Sequence, residues 1–382
     1  MTDGETGKIK VLQVYRTFFP DTQGGLEEVI RQIAQNAPQF DIDVKVFVPS
    51  INTVVPEMIH VNEIEVHRVP EYCEISSCNI FYKGIGYLKE LVEWADIVHY
   101  HYPWPFQDIL HLFLLRNYNK KIVVTYHSDI IRQRGLTLPY LPFRRLFFRE
   151  VDVIVATSPH YQASSKVISR YKHKVDVIPL GLDNRTLPTP SEELTERWRK
   201  RFGEEFFFFV GVLRYYKGLH LLVKAARKTN ATIVIAGEGK QKQVLLDMVN
   251  EYQLSNVHIL GTIDDEDKVA LFSLCRAVVL PSFLRSEAFG ITLLEGMSFG
   301  RPLITASIST GVSYVNQHYQ TGLAVKPNCS SSLADAIECL HNDSELAKRF
   351  GENAKMRYLK YFTGEKMGES YAALYKRLMP SQ

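Results

Sequence analysis

The sequence predicts an α/β protein of two doubly wound domains, each a parallel sheet covered by helices on both faces. Three observations carry this. Short β-branched runs alternate with segments of helical apolar spacing along almost the whole chain. The alternation breaks once, near the middle, and then resumes. The 382 residues, 46% hydrophobic and 23% charged, have a globular composition and the length of about two to three ordinary domains.

Lys8–Tyr15 is a buried strand, and Gly24–Ala37 is a helix with Leu26, Val29, Ile30 and Ile33 along one stripe. Further strands are expected at Val44–Val48, Ile64–Val69, Ile97–Tyr100, Ile122–Tyr126, Val151–Val155 and Val175–Ile178, with helices between most of them. Strands separated by helices need crossover connections, hence parallel pairing. Residues 184–205 are polar and charged, with Pro188 and Pro190, and read as a linker running into a short charged helix. Alternation restarts with Phe206–Gly211, Thr232–Ala236, Val257–Leu260, Ala277–Leu280 and Pro302–Thr305. Ser332–Met379 reads as helical, with a break at Tyr361–Gly364. This divides the chain into domains 1–185 and 186–362, with a C-terminal helix, 363–382, crossing back to brace the first.

Composition excludes several classes. No run approaches the ~18 apolar residues of a membrane span. The N-terminal MTDGETGKIK lacks the apolar core of a secretory signal, so the cytoplasm is the expected compartment. Five cysteines, at 73, 78, 275, 329 and 339, form neither a disulfide framework nor a metal-ligand spacing. A net charge of +3 does not suggest a nucleic-acid binder.

Three segments carry chemistry. Gly24-Gly25-Leu26-Glu27 follows the first strand and opens a helix, where close backbone approach and free N–H groups suit a phosphate; a plain glycine turn is the other reading. Arg214 and Lys217, in Val212–Gly218, follow the strand 206–211. Arg can fork onto phosphate oxygens and Lys can act as a point charge, whereas two cations at a helix start otherwise oppose its dipole. Glu287 and Glu295 are the third: Glu287 precedes the helix start at Gly290, and Glu295 lies within that helix among Leu293, Leu294 and Met297. Eight residues of helix would rise ~12 Å, so these carboxylates suit two ends of an elongated, hydroxyl-bearing ligand rather than an acid–base dyad. Neither a dinucleotide fingerprint nor a P-loop is present, which counts against a nicotinamide dehydrogenase and an NTPase. Asp265-Glu266-Asp267 is a D-x-D triplet, but at a helix start it reads as caps and dipole partners rather than metal ligands.

These segments, with Asp96–His101, Tyr126-His127-Ser128-Asp129, Ile178–Asp183, Ala236–Gly239 and Gly300-Arg301-Pro302, resemble the retaining GT-B glycosyltransferases of family 4, in family order and over nearly the whole chain. The resemblance implies two Rossmann-like domains facing a central cleft and a nucleotide-diphosphate sugar held mainly by the second. Arg214 and Lys217 would grip the diphosphate, with Gly24 and Gly25 adding backbone N–H groups. Glu295 would hold the ribose, and Glu287 the donor-sugar hydroxyls beside the N–H groups of Phe289 and Gly290. His127 would sit by the donor sugar and the acceptor. No cofactor or catalytic metal is implied, the nucleotide sugar being a co-substrate. Ser309–Val315 departs from the family's usual Gly-Gly-Glu form there; this version resembles bacterial lipopolysaccharide O-antigen mannosyl- and rhamnosyltransferases.

On the acceptor side, Arg132, Arg134, Arg144, Arg145 and Arg149 interleave with Tyr140, Leu141, Phe143, Leu146, Phe147 and Phe148. Such a segment suits an anionic lipid surface or lipid diphosphate, or else a helix packed on the sheet with its charges in water. Lys166, Arg170, Lys172 and Lys174 extend the basic stretch. Trp104, in Tyr102-Pro103-Trp104-Pro105-Phe106, is read as an aromatic wall for a sugar or as loop packing. The expected protein is a cytoplasmic, peripherally membrane-associated hexosyltransferase, moving mannose from GDP-mannose onto a lipid-linked glycan for surface polysaccharide. A UDP- or dTDP-sugar donor, or a non-catalytic nucleotide-sugar-binding subunit, are the alternatives.

Overall fold

The computed structural model describes residues 7–75, 78–130, 134–183 and 187–379. The chain forms two compact units. One comprises residues up to Thr157, Ser165–Gly181 and the segment from Gly364 on; the other comprises Ser158–Ser164 and Leu182–Thr363. The divide falls at Gly181/Leu182 rather than 185/186, and Ser158–Ser164 joins the second unit, which a linear division does not anticipate. The reason is local: the Ser164 hydroxyl donates to Ser309 O at 2.7 Å and accepts from Arg285 at 3.0 Å.

The strands of the first unit are β1 (Ile9–Val14), β2 (Ile42–Ser50), β3 (Glu57–Val61), β4 (Ile64–Pro70), β5 (Cys73–Ile75), β6 (Cys78–Ile80), β7 (Ile97–Tyr102), β8 (Lys121–Tyr126), β9 (Val153–Ala156) and β10 (Val175–Val177). Eight form one sheet in the order β10-β9-β8-β7-β1-β2-β4-β3, parallel except where β3 meets β4. β5 and β6 form a separate antiparallel pair. All of β7 is buried. Its alternation sends Tyr100 and Tyr102 to one face, where they meet Phe147 and Phe148 of the helix Arg134–Glu150, at centroid distances of 5.6 and 5.3 Å. His99 and His101 point to the opposite face, toward Tyr371 and Tyr375 of the helix Gly364–Leu378. That last helix lies close against the helix Gly25–Asn36: a Cβ at Gly368 would fall 2.6 Å from Asn36 Cβ.

The helix Pro105–Leu110 places Asp108 in the core, where it accepts a hydrogen bond from the Tyr140 hydroxyl on Oδ2, while Oδ1 has no hydrogen-bond partner among the described residues. Burial pushes its carboxyl up to about 8. The folded state therefore holds a proton that the unfolded chain releases near pH 4. Stability from this group is full at low pH and lost as pH rises toward 8. Asp108→Asn is expected to flatten that slope and raise stability at pH 8 by about 1–3 kcal/mol, measured by urea unfolding between pH 5 and pH 8. An unaltered pH slope would count against a protonated Asp108.

The second unit contains β11 (Phe207–Val210), β12 (Ile233–Ala236), β13 (Val257–Gly261), β14 (Ala277–Leu280), β15 (Leu303–Ala306) and β16 (Gly322–Val325). They pair in parallel in the order β13-β12-β11-β14-β15-β16. Phe206–Phe209 are fully buried because the central strand of a parallel sheet is covered on both faces. Successive strands run outward from β11 in one direction and from β14 in the other. The strand order thus reverses between these two neighbours, and in open α/β sheets ligands bind at the carboxyl ends of the strands at such a switch point.

Candidate functional site

The loops after β11 and β14 supply the most distinctive chemistry. After β11 the chain passes Arg214 and the turn Tyr215–Lys217, and Gly218 opens the helix Leu219–Ala226. After β14 it passes Ser282 and Glu287 to Gly290, which precedes the helix Ile291–Ser298. Across the two loops Lys217 Nζ lies 2.6 Å from Glu287 Oε2, and the Ser282 hydroxyl donates to the same oxygen at 2.9 Å. Only 14% of the Lys217 side chain and 9% of that of Glu287 are exposed. Burial pulls the Lys217 ammonium down, but the adjacent Glu287 carboxylate more than offsets this and raises it, so Lys217 is held as a cation. Arg214 is exposed, acts on Lys217 electrostatically and has no side-chain partner among the described residues. The sequence reading gives Lys217 and Glu287 to different parts of a ligand; here they are paired with each other. Among the described residues Glu287 Oε1 has no hydrogen-bond partner.

Glu295 sits one turn and more along the helix Ile291–Ser298, with Oε1 3.1 Å from Lys268 Nζ. Lys268 is also 2.8 Å from Asp265. Its ammonium is lowered by burial and raised more strongly by these two carboxylates. The amides of Phe289 and Gly290 have no acceptor among the described residues, while the Phe289 ring is buried against Phe362. The Ser309–Val315 segment is tied to the Glu287 loop: Gly311 N donates to Ala288 O at 2.7 Å, and Arg285 donates to Ser309 O at 2.8 Å. Two members of the acidic triplet, Asp265 and Asp267, are engaged by protein partners. Asp264, one residue ahead of it, caps the helix Asp265–Leu274, and Asp267 accepts from Trp198 at 2.7 Å and Arg197 at 3.0 Å.

In the first unit, Gly24 is extended and Gly25 opens its helix. The Glu27 carboxylate folds back on this turn, accepting from Thr22 at 3.0 Å and leaving only 2.8 Å to a Cβ built at Gly24. His127 follows β8. Its Nε2 is 2.9 Å from His101 Nδ1, and His101 Nε2 is 2.9 Å from Gln13 Oε1. Burial pulls His127 down to about 3 and His101 well below its usual range, so both are neutral at pH 7.

One acceptor-side expectation is corrected. Trp104 is fully buried, with its indole donating to Asn79 O at 2.9 Å, so it packs the core and offers no wall to a sugar. Arg144 is half-buried, its charge stabilised beside the Tyr102, Tyr126 and Tyr140 phenols, whereas Arg145 is exposed. Arg132 and the side chain of Arg134 lie outside what is described.

A model of glycosyltransferase family 4 matches residues 23–186, and one of glycosyl transferases group 1 matches residues 190–357. The chain is 42% identical, over 98% of its own length and 100% of the relative's, to the O-antigen chain mannosyltransferase C of Escherichia coli. It belongs to the family 4-like, group 1 glycosyltransferases. A second relative, the D-rhamnosyltransferase WbpZ of Pseudomonas aeruginosa, is 44% identical over 93% of this chain and 92% of its own. The glycosyltransferase shares its GT-B fold with sucrose-phosphate synthase from Thermosynechococcus elongatus, at a TM-score of 0.78 and 20% identity over 97% of this chain and 99% of that one.

Sequence reasoning missed four residues of this glycosyltransferase's candidate sites. Ser282 shows only as a polar residue directly after a buried strand and Pro281. Lys268 lies three residues beyond Asp265, a helical spacing visible in sequence, but its reach to Glu295 is not. Gln13 is a buried polar residue between Leu12 and Val14, and His101 is one of two histidines in a wholly buried strand; that incongruity was the available signal.

Proposed function

We propose that this glycosyltransferase retains anomeric configuration while moving a hexose, mannose from GDP-mannose, onto a lipid-linked or oligosaccharide acceptor in O-antigen or similar surface polysaccharide synthesis. The observation that carries it is the Lys217–Glu287–Ser282 cluster at the strand-order reversal of the second unit. A departing diphosphate needs fixed positive charge, which Lys217 and the open Arg214 supply. Glu287 Oε1 and the Phe289 and Gly290 amides suit sugar hydroxyls, and Glu295 suits the ribose. His127 is assigned to hydroxyls of the transferred sugar or acceptor. The two relatives' names favour mannose and its 6-deoxy form, D-rhamnose, as the sugars to compare.

The experiment is a thermal-shift screen of nucleoside diphosphates and their sugars, run in chelator because no metal is assigned a role. A ligand that binds only the folded state raises apparent stability by about 2.7 kcal/mol at one hundred times its Kd. Guanosine diphosphate and GDP-mannose are expected to give the largest shifts, and Glu295→Ala to reduce both. A larger shift from uridine or deoxythymidine nucleotides would replace the donor, and a shift that needs a divalent ion would end the metal-free reading.

No helix of the described residues is long and apolar enough to cross a membrane. Peripheral docking is read from the outer face of the helix Arg134–Glu150. Leu138 and Leu146 are 68% and 47% exposed there beside Arg145 and Arg149, and Phe113 is 66% exposed next to Phe143. Arg145→Glu with Arg149→Glu is expected to weaken binding to anionic vesicles about 10-fold or more. Unchanged sedimentation with vesicles would leave this face without a lipid role.

A further inference from the structure

His127 is the outermost of three buried imidazoles in the first unit, and their hydrogen bonds run in one sense. Gln13 Nε2 faces the carbonyl of Ile30 at 3.4 Å. A backbone carbonyl only accepts, so the amide nitrogen must lie on that side and Oε1 on the other. Oε1 also only accepts, so the His101 nitrogen 2.9 Å away, Nε2, carries the proton. A neutral imidazole has one N–H, which leaves His101 Nδ1 as a lone pair. The His127 nitrogen facing it at 2.9 Å, Nε2, must then be the donor.

His101 has no means of reversing this order. It is fully buried, with no carboxylate among the hydrogen-bonding partners of the array to stabilise an imidazolium. His99 stacks on it at 4.5 Å, but its two nitrogens are occupied by Tyr375 and Thr125, each at 2.7 Å. The Tyr371 hydroxyl closes that branch on Thr125 at 2.7 Å. The relay therefore ends at His127, the only one of the three residues with measurable exposure, at 6%.

We infer that Gln13 and His101 are positioning residues that lock His127 as the neutral Nε2–H tautomer, so that its Nδ1 lone pair is offered as a hydrogen-bond acceptor to a hydroxyl of the transferred sugar or of the acceptor. Nδ1 has no partner among the described residues. A neutral ring in this state accepts a hydrogen bond from a hydroxyl and contributes no positive charge to the departing diphosphate, which separates its task from that of Lys217 and Arg214. The hydroxyl as ligand rests on the proposed function; the tautomer does not.

The test is long-range proton–nitrogen correlation spectroscopy on the full-length protein with ring-labelled histidine, assigned through single histidine variants. At pH 7, His127 and His101 should each be protonated on Nε2 and bare on Nδ1. Gln13→Met should give mixed tautomers at both rings and lower kcat/KM about 10- to 100-fold, the usual range for partners behind a functional ligand, with nucleoside diphosphate affinity unchanged. His127 found protonated on Nδ1, or charged, would overturn the inference, as would a Gln13→Met protein with a pure Nε2–H ring. The wild-type spectrum decides the tautomer even if the variant fails to fold. Full transfer by His127→Ala with the wild-type tautomer as stated would remove the sugar-site assignment and leave the lock standing.

Discussion

Lys217→Ala is expected to lower kcat/KM for transfer about 10²- to 10³-fold, the effect of removing one fixed charge from a site where negative charge develops. A loss of stability should accompany it. The ammonium is the buried counter-charge of Glu287, and breaking a buried pair from one side typically costs about 3–5 kcal/mol, here at the lower end because part of each chain is exposed. The two effects separate in a double-mutant cycle. Lys217→Met with Glu287→Gln removes both charges together, so most of the stability should return while transfer stays lost. Calorimetric titration with the nucleoside diphosphate provides the second measurement, with a weaker affinity expected in both proteins. Recovery of transfer along with stability would reduce the pair to a structural strut.

Gly218→Ala should be among the most damaging changes that add a single methyl group. Gly218 has φ of +74°, and a Cβ there would lie 2.2 Å from the carbonyl oxygen of Pro281. The loop bearing Lys217 thus rests backbone to backbone on the loop bearing Ser282 and Glu287. Gly300 is the control. Its φ is +68°, nearly the same, and the nearest atom to a Cβ built on it is 3.7 Å away, an ordinary contact. Gly300→Ala should cost about 1 kcal/mol, the strain of a left-handed alanine alone. Gly218→Ala should cost about 3 kcal/mol or more, because the obstructing atom is backbone and must move, taking the Lys217–Glu287 contact with it. Urea unfolding of the two variants measures the difference directly. Equal losses would mean that the two loops are free to part.

Much of the fold is legible in the order of residues. β-branched and aromatic runs such as Val44–Val48 and Phe206–Phe209 lie within strands or abut them because a central parallel strand is apolar on both sides. β3, the β5–β6 hairpin and β16 are less legible. β3 is a half-exposed edge, β5 and β6 have three residues each, and β16 begins at a glycine, so none shows a buried run of useful length. Trp104 shows the limit for single residues. An indole between two prolines has the same sequence signature whether it lines a groove or fills the core, and burial with a bond to Asn79 O settles it. The basic segment divides likewise: Arg145 and Arg149 are exposed, while Phe147 and Phe148 are core and Arg144 is drawn in beside tyrosines.

Local spacing was enough to specify the α/β class, the residue types of the candidate site, and the loops that bear them. Those are properties of side-chain periodicity and strand-end position, which act over a few residues. Which groups touch was settled by strand order. Lys217 meets Glu287 because β11 and β14, distant in the chain, are neighbours in the sheet, and Gln13 meets His101 because β1 lies beside β7. No period in a sequence encodes that adjacency, since it arises only when the whole sheet buries its apolar faces together.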